Sequence, residues 1–145
     1  GEALVGKYAG AADKHSLRRC VSHLFAWGWS LAAIFAFAYG VFNHEVMSLF
    51  SDKPEVVAFA AAYRWWIALA PIAGMAAFIW DGVFVGLTAT RQMLLSLAGA
   101  TAVYFTIYFL FPLADANDCL WTAFLAYLAV RGVILWLCFA RENRY

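Results

Sequence analysis

Apolar residues along this chain gather into four long, nearly unbroken runs, approximately 21–50, 56–87, 93–113 and 119–140. Each reaches the roughly 20 residues that a helix needs to cross about 30 Å of hydrocarbon. The breaks between them are short: Ser51-Asp52-Lys53-Pro54-Glu55, the Thr88 to Gln92 turn, and Ala114 to Asp118. Breaks of that length set neighbouring helices antiparallel. The runs are rich in Ala and Leu and lack the period-two alternation of membrane barrel strands, so helix is the expected state. The pattern therefore predicts an all-α, polytopic helical membrane protein with four transmembrane helices. Trp65, Trp66, Trp121 and Tyr145 fall near the expected interfaces, whereas Trp27, Trp29, Trp80 and Trp136 fall deeper.

Composition agrees and removes the soluble alternative. Of the 145 residues, 66% are hydrophobic and 13% charged, against about 45–50% and about 25% in ordinary globular domains. A single small domain in water could not bury that excess. The net charge is +1, and phosphate recognition needs a basic stripe that ten Lys and Arg balanced by nine Asp and Glu do not supply. Nucleic acid is not an expected partner; the lipid bilayer is. Cys20, Cys119 and Cys138 form no paired motif and sit in or beside apolar runs, as small hydrophobes do. The opening GEALVGKYAG lacks the basic start and apolar stretch of a signal peptide, and the chain is expected to begin inside something larger.

Basic residues alternate with the breaks. Lys7, Lys14, Arg18, Arg19, Arg91, Arg141 and Arg144 fall on one side, and Lys53 and Arg64 on the other with Asp52, Glu55, Asp115 and Asp118. The positive-inside rule then predicts a cytoplasmic-membrane protein with residues 1–19, the Arg91 turn and the C-terminus in the cytoplasm.

Chemistry concentrates in AFIWDGVFVGLTATRQM, residues 77–93, which puts Asp81 inside the second span. An ionisable group at membrane depth is costly and either lines a polar path or has a partner. Asp81 lies ten residues before Arg91 and Arg131 ten before Arg141, so each is expected about 15 Å from the same face. Equal depth allows an Asp81–Arg131 ion pair if the second and fourth spans touch. Asp81 is then either a carboxylate that takes up H⁺ or Na⁺, or half of a permanent pair that fixes packing. Pro71 predicts a bend in the second span, and Gly82 and Gly86 a site of close helix packing, or with the bend a cavity wall. Cys20 and His23 are one helical turn apart, but two ligands do not make a metal site. His15 is expected in a loop, with His23 and His44 at opposite ends of the first span. No nucleophile or metalloprotease motif is present, so no enzyme activity and no cofactor is expected.

GEALVGKYAGA at 1–11, WDGVFVGLTATRQM at 80–93 and LAVRG at 128–132 together resemble the C-terminal half of the MATE (multidrug and toxic compound extrusion) family, in its DinF-type, DNA-damage-inducible branch. The resemblance covers essentially the whole chain. It implies a partial C-terminal lobe, with residues 1–6 closing an eighth helix and the four runs forming helices nine to twelve of a twelve-helix fold. It also implies part of a secondary active multidrug efflux antiporter, exchanging cationic or amphipathic organic compounds for H⁺ or Na⁺ as coupling ion. The remaining helices of the parent transporter would be partners, and Asp81 would belong to the cation site, as an acidic residue at the matching place does in the sodium-coupled branch. Two alternatives stand beside it: a lipid-linked sugar flippase of the same superfamily, and a free-standing four-helix structural membrane protein.

Overall fold

The structure, a computed structural model, describes residues 1–42, 63–110 and 116–141, together with Ser48 and Glu55. His44, Asp52, Lys53, Asp115, Arg144, Tyr145 and most of 43–50, 56–62 and 111–113 lie outside the described residues. Five helices carry the described chain: α1 (Glu2–Gly10), α2 (Lys14–Val41), α3 (Arg64–Gly86), α4 (Thr90–Leu110) and α5 (Ala116–Arg141). Regular structure among the described residues is entirely helical, and α2 to α5 are each long and apolar enough to cross a membrane.

Two turns of the same construction join helices at the basic end. After α1, Ala12 adopts φ 55°, its N–H donates to Ala9 and that of Asp13 donates to Tyr8. After α3, Thr88 adopts φ 55°, its N–H donates to Val85 and that of Ala89 to Phe84. Both are Schellman closures, in which a left-handed residue satisfies the last carbonyls of a helix. Neither has the glycine that usually fills this place.

Asp13 then starts α2 as its N-cap, accepting from the Ser16 N–H at 3.0 Å. That cap explains why α2 begins at Lys14 rather than with the apolar run at Val21, and it places His15 in the first helical turn, not in a loop. Likewise α1 continues to Gly10, past the expected end at Gly6. Hydrogen bonds from the Ser16 side chain and backbone hold the Asp13 carboxyl below its usual value. Because the folded value is the lower one, the cap contributes fully above the unfolded carboxyl value and is lost as pH falls through the lowered one. The Ser16 amide resonance is expected to titrate with a midpoint below that of an unstructured Asp, and Asp13→Ala to remove the transition and fray the first turn of α2.

Helix α3 is the centre of the assembly: α1, α2 and α5 pack on it, while α4 leans mainly on α5. The closest approaches use glycine. A Cβ on Gly132 of α5 would stand 3.1 Å from the Ala76 Cβ of α3, and one on Gly28 of α2 would overlap Ile79. At Gly86 it would stand 2.7 Å from the Glu2 carbonyl oxygen of α1. Small residues at such crossings are how helices approach closely where lipid removes the usual hydrophobic drive. Near the basic end the core closes with Val5, Leu17, Val83, Phe84 and Leu135, and the Trp80 ring packs at a tilt against Phe25, 5.1 Å away, and Phe139, 4.9 Å away, tying α2, α3 and α5 together. Elsewhere large apolar side chains point outward, Trp27 at 79% and Phe109 at 72% exposure, as hydrocarbon or further helices require.

Candidate functional site

The α3–α5 crossing carries the charged chemistry. Gly132 seats α5 against Ala76 and Ala77, and the neighbouring Arg131 reaches along α3 to Asp81, with Nη2 2.9 Å from Oδ1. The equal-depth argument needs correction here. The chain leaves α3 at Gly86 and turns through Leu87 to Ala89 before Arg91, so the ten residues from Asp81 to Arg91 do not measure a helical rise. Asp81 is five residues, about 7 Å, from the end of α3. Arg131 is ten residues, about 15 Å, from the end of α5. The long arginine stem spans the difference and carries its guanidinium toward the basic end.

Both side chains are mostly enclosed, Arg131 at 18% and Asp81 at 23% exposure. Charge is matched, and Nη2 and Oδ1 stand at the distance of a charge-assisted hydrogen bond, while Arg131 Nε has no hydrogen-bond partner among the described residues. Arg131 Nη1 donates a long bond of 3.4 Å to the Tyr127 hydroxyl, one turn earlier on α5. The arrangement is a carboxylate held by one cation, with acceptor capacity left over.

Of the other expected residues, Gly86 sits at the α1–α3 crossing, whereas a Cβ on Gly82 would meet only the Glu2 side chain at an ordinary 3.8 Å. Pro71 lies inside α3, which continues through it, in the half remote from Asp81. Cys20 and His23 lie on α2, and no group of three potential metal ligands occurs among the described residues. Tyr127 and Gly132 were not singled out from sequence. The first was legible as a hydroxyl four residues before an intramembrane arginine, and the second only as one of ten glycines.

The MatE family profile matches residues 1–110, a stretch that includes Asp81 and stops before Arg131. The DNA damage-inducible protein F of Escherichia coli (strain K12) is 27% identical over 143 residues, covering 99% of this chain and 31% of that protein. The chain thus spans less than a third of the length of that relative. No solved structure matches.

Proposed function

Because the chain belongs to the MatE family, we propose that it is part of a secondary active multidrug efflux antiporter in the cytoplasmic membrane. In this reading it supplies helices nine to twelve, with residues 1–19 and the C-terminus in the cytoplasm. Cationic or amphipathic organic compounds leave in exchange for H⁺ or Na⁺. The observation that carries the reading is the Asp81–Arg131 contact at 2.9 Å inside two apolar helices.

Its mechanism is competition for one carboxylate. A proton or Na⁺ arriving at Asp81 neutralises the partner of Arg131, and the released guanidinium keeps only its long bond to Tyr127. A charge left alone at this depth is unfavourable, so the α3–α5 crossing relaxes to another packing, and the rearranged lobe releases substrate outward. Arg131 acts as an internal competitor that resets the site when the ion leaves. The flippase alternative asks for basic groups free to meet a sugar phosphate, and the guanidinium at this depth is already held by a carboxylate.

In cells expressing the whole protein, accumulation of a fluorescent organic cation is expected to fall, and Asp81→Asn to abolish that effect while the protein still reaches the membrane. Efflux by Asp81→Asn equal to wild type would leave the pair a packing device and end the coupling role.

A further inference from the structure

On the opposite side of α3 and α5 from the ion pair lies a second feature, a cleft of about 660 Å³ between α2, α3 and α5. Its walls are apolar, including Phe25, Trp29, Ala76, Ala129 and Trp136, and its one charged lining residue is Arg18, at the basic end. We propose that this cleft binds one acyl chain of an anionic phospholipid, with Arg18 meeting the phosphate.

The cleft is the right length for one leaflet. From Arg18 to Trp29 on α2 and from Ala129 to Phe139 on α5 the helical rise is about 15 Å, half of a hydrocarbon layer about 30 Å thick. Direction follows from the helical wheel. At 100° per residue, Asp81 lies roughly 125° round α3 from the centre of the cleft-lining residues, and Arg131 roughly 135° round α5. Intramembrane charges face the protein interior or a polar path, so the opposite faces of the same two helices look toward lipid. Trp29 and Trp136 at its mouth are 43% and 55% exposed.

Charge sets the headgroup. Arg18 is exposed, and no carboxylate pairs with it among the described residues. It stands one helical turn along α2 from Lys14, where a headgroup phosphate would sit when its chain runs down the trough. A neutral segment of protein would fill the apolar part and leave Arg18 without a counter-charge. The proposal needs only the membrane setting and is independent of the transport reading.

The test uses the whole protein in vesicles containing phosphatidylglycerol and phosphatidylcholine, one of the two brominated at mid-chain. The Trp136 signal is read as the difference between wild type and Trp136→Phe. Trp136 is expected to be quenched, with phosphatidylglycerol preferred by about fivefold, the worth of one basic residue at an anionic surface. Arg18→Gln should bring that preference close to one, and Arg18→Lys should keep it. Ala129→Phe, which fills the trough, should reduce quenching by both lipids with the helical circular dichroism intact. No quenching of Trp136 by either lipid would mean that protein covers the cleft and would overturn the proposal. Equal quenching by both lipids, unchanged in Arg18→Gln, would reduce the cleft to ordinary bilayer contact and overturn it as well.

Discussion

Arg131→Leu is expected to destabilise the protein by about 2–3 kcal/mol, and the double variant Arg131→Leu with Asp81→Leu to recover most of that loss. Breaking a fully buried pair costs about 3–5 kcal/mol, because the surviving charge keeps its desolvation penalty without its partner. With about a fifth of each side chain still exposed, solvent lowers the figure. Removing both charges leaves two apolar side chains at a crossing already set by Gly132 and Ala76, and such replacements are often neutral or better. Reversible unfolding in mixed detergent micelles across the four proteins of the cycle would measure the coupling. Equal losses in the single and double variants would mean that the pair contributes geometry and no electrostatic energy. A pair that behaved in this way would be a poor stability device, in keeping with the exchange role proposed for it.

Gly86→Val is expected to release α1 from α3. Even an alanine Cβ at this position would stand 2.7 Å from the Glu2 carbonyl oxygen and 2.9 Å from the Val5 Cβ. The obstructing atoms include backbone, so a side-chain rotation cannot absorb the clash. Overpacking of this kind costs about 1–3 kcal/mol for one methyl, and the branched valine should exceed it. Gly82→Ala supplies the control, since its Cβ meets only the Glu2 Cγ at an ordinary 3.8 Å. Protease sensitivity near residues 1–13 should rise in Gly86→Val and stay at the wild-type level in Gly82→Ala. Identical behaviour of the two variants would refute the distinction.

The contrast shows what the chain spelled out and what it withheld. Apolar run length located α2 to α5, since bilayer thickness imposes a minimum that few other structures meet. It misplaced the start of α2, because the turns from Lys14 to Cys20 carry Lys14, Arg18 and Arg19 and are fixed by the Asp13 cap, a local polar signal that hydropathy does not weigh. Asp81 and Arg131 were legible as isolated charges in apolar surroundings. Their contact was legible only on condition that the second and fourth spans touch, which they do, and the rise argument behind it assumed a continuous helix to Arg91 where the chain turns at Thr88. Gly82 and Gly86 looked equivalent in the sequence and share the face of α3 turned to α1; position along the axis separated them, since Gly86 meets the Glu2 backbone and Val5 at the crossing and Gly82, one turn away, only the Glu2 side chain.

The turn at Leu87 to Ala89 also decides how the bundle can give way. It is three residues long, with Leu87 and Ala89 buried and Thr88 in the left-handed region, a short elbow between α3 and α4. Helix α4 in turn lies along α5, and α5 returns to α3 through Gly132 and the ion pair. The three helices thus make a closed frame with one hinged corner, one bonded side and one side fastened by a latch. In the transport cycle proposed above, neutralising Asp81 lifts the latch. What then swings is α5 with α4 as a single leaf about the Thr88 elbow, so a probe pair on α4 and α5 should keep its spacing through the cycle while one on α3 and α5 changes.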